Sequence, residues 1–170
     1  MPGMINHATI RTALGDMTFV EKDGAIVALN IDSHNVGADI IRPGRAQHAP
    51  IKYAADNPVL NAAIAQMNEY LSGRRREFDL PLAPAGTEFQ KSIWAALRQI
   101  PYGETIDYAT LARNAGRPRA VRAAGNANGK NPIPIIIPCH RVIAADGTIG
   151  GFSLGVELKK KLLEIETVSS

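Results

Sequence analysis

"TIDYATLARNAGRPRAVRAAGNANGKN", residues 105–131, decides the fold of the second half of this chain. Tyr108, Leu111 and Ala112 recur at helical spacing, and Gly116 stops the run. Pro118 suits the head of a second short helix that carries Arg119, Arg122 and a series of alanines. Two short helices around a glycine-containing turn, the second bearing arginine, make the outline of a helix-turn-helix. From Thr105 to Ala145 the basic residues are Arg113, Arg117, Arg119, Arg122, Lys130 and Arg141, while Asp107 is the only acid. A local excess of that kind suits a polyanion, although a solvated basic face produces the same pattern. The second helix is also slim, because Ala120, Ala123, Ala124, Gly125 and Ala127 give it little bulk on any face. Reading a major groove needs long polar side chains along the helix, and only Arg122 with the flanking Arg119, Asn126 and Asn128 supplies them. Small residues suit close approach to a minor groove, and equally suit tight packing on neighbouring elements.

Outward toward the N-terminus, residues 87–100 read as a helix opened by Thr87. It runs through Ile93, Trp94, Leu97 and Ile100, is closed by Pro101, and is followed by a Tyr102-Gly103 turn. "RRREFDLPLAPAG" (74–86) is a proline-rich connection, and the predicted boundary near Ala85 divides the chain into residues 1–85 and 86–170. Its leading arginines, Arg74 to Arg76, are expected to be a solvated helix end rather than phosphate contacts. A helix is predicted over 57–73, with Asn57 as N-cap, Pro58 in the first turn and Gly73 as the stop. "HATIRTAL" (7–14) and "MTFVEKDGAIVALNID" (17–32) alternate apolar and polar positions, with Asp23-Gly24 as a hairpin turn. Ser33 to Ala49 reads as a loop. The predicted class is α+β: a small antiparallel sheet with a helix, then a mostly helical C-terminal half.

The composition, 45% hydrophobic and 21% charged over 170 residues, suits a globular protein with a real core, and the net charge of +3 is small. "MPGMINHATI" lacks the basic-then-apolar order of a signal peptide, and no apolar run is long enough to span a membrane. The single cysteine allows neither an internal disulfide nor a dithiol redox cycle, so a cytoplasmic setting is expected. That cysteine stands in "IIIPCHRV" (135–142), after an apolar run and directly before His140 and Arg141. Burial raises a thiol's pKa, so a reactive Cys139 needs a base or a positive field. Adjacency alone does not bring His140 to it.

The full string is far more specific. "PCHRV", preceded by "NPIPIII" and followed by "DGTIGGFSLG", resembles the active-site signature of the O6-alkylguanine-DNA alkyltransferases. The likeness runs from "GTEFQKSIWAALRQIPYGETIDYATLA" to "KKKLLEIE", whereas the first half resembles that family only by its strand-strand-helix order. The resemblance implies a ribonuclease H-like N-terminal part and a C-terminal part of winged helix-turn-helix kind. It implies that Cys139 takes the alkyl group from O6 of guanine, with activity on O4-alkylthymine left open. His140 would be the base through a bridging water, oriented by Glu166, with Glu164 the alternative. Asn131 matches the hinge asparagine, and Tyr108 the tyrosine that helps turn the nucleotide out and protonates the leaving base. Arg122 matches the arginine that fills the vacated stack, with Arg119, Ala123, Gly125, Asn126 and Lys130 along the DNA-binding surface. Val142 would offer its carbonyl and Ser153 its N–H to the base, in a pocket with Gly151 and Phe152.

The implied partner is double-stranded DNA holding an alkylated guanine, bound through the minor groove by a monomer in a nucleoid-accessible cytoplasm. Cooperative assembly on DNA stays open. No cofactor and no metal are expected, and His7, His34 and His48 are read as surface residues. Asn128 replaces a bulky residue of some relatives, and Leu154 replaces a small one at the pocket lip. Two other readings compete: a non-catalytic lesion binder, which would lack the reactive cysteine, and a Cys-His hydrolase, which would need an oxyanion hole.

Overall fold

The computed structural model describes residues 3–32, 51–53 and 56–168. Its first half begins as an antiparallel meander of β1 (Ile5–Thr12), β2 (Gly15–Lys22) and β3 (Ala25–Asp32). The β2–β3 loop is Asp23-Gly24, with φ of 53° and 82°. A tight hairpin of this type needs positive φ at both central residues, which Asp tolerates and Gly favours. β4 (Ile51–Tyr53) adds to β1 in parallel, giving the order β3-β2-β1-β4. His7 pairs with Val20 on one side and Tyr53 on the other, so it is half-buried inside the sheet and not the surface residue expected. The predicted loop from Ser33 to Ala49, with His34 and His48, lies outside the described residues.

The predicted helix forms as α1 (Pro58–Leu71), and the Asn57 side chain accepts from the Val59 and Leu60 amides. α1 packs against β1, β2 and β3, and its Leu60, Ala63, Met67 and Tyr70 are fully buried. Burying a Leu or Met side chain contributes about 1.5–3 kcal/mol, so this face holds the helix more than its residue propensities do. The connection then seals the β3 edge: the Ile26 amide donates to Pro81 O and the Ala83 amide to Ile26 O.

In the second half, Thr87 and Gln90 form a reciprocal capping box at the start of α2 (Glu88–Leu97). α2 ends before the expected Ile100, because a residue preceding proline disfavours the helical conformation. Ile100 instead closes a turn on Leu97 O, and its side chain stays buried. α3 (Tyr108–Asn114) is capped by the Asp107 side chain on the Thr110 amide. It ends with Gly116 at φ 72° and the Arg117 amide on Ala112 O, a Schellman closure. That closure places Pro118 in the turn, so α4 (Val121–Gly129) begins later than predicted. Trp94 Nε1 donates to Ala127 O at 2.9 Å, tying α2 to α4. The Leu29 amide of β3 donates to Pro132 O at 2.9 Å, tying the sheet to the segment before the cysteine. β5 (Ile106–Asp107) and β6 (Val142–Ile143) pair in parallel, and α5 (Val156–Val168) closes the fold. Among the described residues no helix is long and apolar enough to cross a membrane.

Candidate active site

Ile133 to Val142 are all buried. Ile135 sits at φ 71°, a conformation that a β-branched residue adopts only under surrounding constraint. Asn131 supplies the constraint. Its Nδ2 donates to Ile137 O at 2.7 Å while its Oδ1 accepts from the Ile133 amide at 3.0 Å, clamping both ends of the turn. The chain then enters a short 3₁₀ turn over Cys139–Arg141.

Burial pushes the Cys139 thiol up to about 11, against the opposing pull of a hydrogen bond from Asn131 and the charge of Lys159. At neutral pH the group is therefore a thiol, and reaction requires that its proton be taken. His140 is wholly buried beside it in sequence, and its Nε2 lies 2.7 Å from Glu166 Oε1. Burial lowers the imidazole pKa, and Glu166 opposes that effect.

Glu166 is the most heavily bonded side chain of the site. Its Oε1 accepts from the Tyr70 hydroxyl at 2.7 Å and from Arg141 Nη2 at 3.1 Å. Its Oε2 accepts from Arg141 Nε at 2.9 Å and from the Gly103 amide at 3.2 Å. Burial alone would raise this carboxyl, but the hydrogen bonds and charges of His140 and Arg141 prevail and hold it at about 2. An ionised carboxylate only accepts, so the proton of neutral His140 sits on Nε2. Its Nδ1, an acceptor lone pair, is buried with no hydrogen-bond partner among the described residues. Glu164, the alternative partner, is exposed on the other side of α5.

Lys159 is a further buried charge of the site. Its Nζ donates to Val142 O at 2.6 Å and to Gly151 O at 3.3 Å, and sits 6.0 Å from the centre of the Phe152 ring. Burial lowers its pKa while the charge of Cys139 raises it. The Val142 carbonyl expected to meet a base is thus already engaged on one side. A carbonyl has a second lone pair, so both contacts are compatible.

The helix-turn-helix residues separate into two groups. Ala124, Ala127 and Asn128 are buried, whereas Arg119 in the turn, Arg122, Ala123 and Asn126 on α4, and Lys130 at its C-cap are exposed. A Cβ at Gly125 would meet the Tyr108 ring at 3.5 Å, while one at Gly129 would meet nothing within 4 Å. Some small residues therefore serve packing, and others leave an outer face low. Between that helix and the loop before α5 lies a cavity of about 220 Å³, lined by Tyr108, Gly125, Asn128, Gly129, Gly151, Phe152 and Ser153. Burial and the Cys139 charge both raise the Tyr108 phenol pKa. Among the described residues no three His, Cys, Asp or Glu side chains gather as a metal site.

Tyr70 and Lys159 escaped the sequence reading as parts of this site, and Arg141 entered it only as a sequence neighbour of Cys139. Tyr70 falls at an apolar helical position, and Lys159 is one of three consecutive lysines. One signal was present: Lys159, Leu162 and Glu166 are spaced i, i+3, i+7, which puts all three on one face of α5.

Two family models match the chain. One, the 6-O-methylguanine DNA methyltransferase ribonuclease-like domain, covers residues 5–84, and the other, the DNA binding domain of the same family, covers residues 88–168. The methylated-DNA–protein-cysteine methyltransferase of Methanosarcina barkeri is 46% identical over 75% of this chain and 81% of its own. The crystal structure of Mycobacterium tuberculosis O6-methylguanine methyltransferase superposes with a TM-score of 0.83 at 38% identity, covering 98% of this chain and 95% of that one. The same organism's protein in complex with DNA superposes at 0.82 and 36% identity, covering 97% and 94%. With both halves matched and the buried Cys-His-Glu array in place, this chain belongs to the 6-O-methylguanine DNA methyltransferase family.

Proposed function

We propose that this protein repairs DNA by moving the alkyl group of an O6-alkylguanine onto Cys139 in one irreversible step, each molecule acting once. Family membership gives the reaction class, methyl transfer from DNA to a protein cysteine, and DNA as the partner. The observation that carries the residue assignment is the union of a protonated, buried Cys139 with a neutral His140. That imidazole is anchored by Glu166 through Nε2 and leaves Nδ1 as an acceptor.

The thiol proton passes to His140 Nδ1 through a bridging water, and Glu166 stabilises the imidazolium that forms. The Cys139 sulfur then bonds to the alkyl carbon as the carbon–O6 bond breaks, leaving the electron pair on guanine. Tyr108 protonates the departing base and recovers a proton from the imidazolium, so the thiol proton ends on guanine. Lys159 braces the Val142 carbonyl, which takes the guanine amino group, and Ser153 offers its N–H to O6 above Gly151 and Phe152. The product is a thioether, and the chain has no second cysteine to remove the alkyl group.

The target base must leave the duplex to reach a buried thiol, at a cost of a few kcal/mol of unstacking. The low outer face of α4 suits a minor groove, with Arg122 filling the vacated stack. The same reading assigns DNA binding and chemistry to residues 86–170 of a monomer working in the cytoplasm, where a lone thiol stays reduced.

Intact-protein mass after incubation with duplex DNA containing O6-methylguanine tests the proposal. The expected result is a gain of one methyl unit on Cys139, with no gain for Cys139→Ser, which still binds DNA. Tight binding without a gain favours a lesion binder, and many lesions repaired per molecule overturns the mechanism.

A further inference from the structure

We propose that Tyr70, on α1 in the first half of the chain, is a positioning residue for alkyl transfer. Its hydroxyl holds Glu166 Oε1 and through it sets the orientation and basicity of His140. This rests on the reading of His140 as the base.

Tyr70 is fully buried, and its ring packs against Phe78 and Tyr102 with centroids 5.3 and 6.1 Å away. A phenylalanine would meet those packing needs. The hydroxyl goes further, donating to Glu166 Oε1 at 2.7 Å and lying 3.4 Å from His140 Nε2. Burying that group is favourable only because the carboxylate receives it, since an unmatched buried hydroxyl is costly. The bond joins residues 96 positions apart and reaches the same oxygen that His140 meets. The half of the chain that lacks the thiol thus contributes a donor to the thiol's proton relay.

The groups facing His140 fix the sign of the effect. Arg141 on its own turn and Lys159 on α5 disfavour the imidazolium, and Glu166 on α5 favours it. Cys139 precedes it, and from the 101–103 turn the Tyr102 ring stacks under Arg141 at 5.7 Å. Tyr70 on α1 acts through Glu166: by donating to Oε1 it disperses the carboxylate charge and weakens its hold on the Nε2 proton. Without the hydroxyl, Glu166 favours the imidazolium more strongly, and His140 titrates at higher pH. The ring also loses a surface against which it is held.

Single-turnover transfer from O6-methylguanine DNA, measured across pH for wild type, Tyr70→Phe and His140→Gln, tests this. For Tyr70→Phe the acid limb should move up by about half a pH unit. Its plateau rate should fall about three- to tenfold, with DNA binding retained. Cys139 alkylation by iodoacetamide repeats the comparison without DNA and should show the same upward shift. Survival of the acid limb in His140→Gln would remove the base assignment itself, whatever Tyr70→Phe does. If His140→Gln loses the limb while Tyr70→Phe keeps both limb and plateau and only melts lower, Tyr70 is structural and the proposal is overturned.

Discussion

Glu166 Oε1 lies 2.7 Å from His140 Nε2, and the other ring nitrogen of His140 is buried without a partner among the described residues. One carboxylate therefore fixes the histidine tautomer while also neutralising Arg141. Glu166→Gln should fail on both counts. Removing one member of a buried ion pair costs about 3–5 kcal/mol, readable by urea denaturation. A glutamine amide can also donate to Nε2, which moves the imidazole proton to Nδ1 and blocks the base. Single-turnover transfer should drop by about 10²–10⁴-fold.

Stability should fall in two stages as pH is lowered. The His140 pKa is below its unfolded value of 6.5, so below that pH the unfolded chain binds more protons and stability declines. Glu166 is held at about 2 against an unfolded 4.5, so its contribution is complete above 4.5 and is lost toward 2. Thermal melting across this range should show both, and Glu166→Gln should flatten the lower stage.

Lys159→Met should slow the thiol. The ammonium charge lowers the Cys139 pKa, so its removal should shift iodoacetamide reactivity to higher pH and reduce the rate near neutrality by about three- to tenfold. An unchanged pH profile would mean that Lys159 serves the Val142 and Gly151 carbonyls alone.

Arg122→Ala should separate extrusion from chemistry. Transfer from duplex DNA should fall by about tenfold or more, because the vacated stack is no longer filled. Transfer from free O6-methylguanine should stay near wild type. Equal losses on both substrates would place Arg122 in the chemistry instead.

Arg74, Arg75 and Arg76 have local partners: Ser72, Glu69 with Glu77 O, and the Tyr102 ring at 5.6 Å. Replacing all three by alanine should leave the salt dependence of DNA binding unchanged. Loss of about one unit or more of slope would reveal a phosphate contact.

Local chemistry made most of the elements legible. Asp23-Gly24, Asn57, Thr87 and Gly116 each act within a few residues, so turn and cap preferences found them. The element ends at Leu97 and Val121 were misplaced because Pro101 and the Schellman closure, rather than hydrophobic spacing, decided them. His7 was misread because a single strand's alternation does not reveal how many neighbours cover it.

The sequence by itself singled out Cys139 as the proposed nucleophile, since there is one cysteine and its signature is contiguous, and the alkyltransferase resemblance put His140 and Glu166 forward for the relay. Only the tertiary structure decided the electrostatics around that thiol. Tyr70, Lys159 and Glu166 reach the site from two helices, and burial and hydrogen bonding act through space. Solvent exclusion around Cys139 raises the thiol, and three donor side chains converge on the one carboxylate that holds the His140 imidazole. Neither effect has a counterpart in the order of residues along the chain.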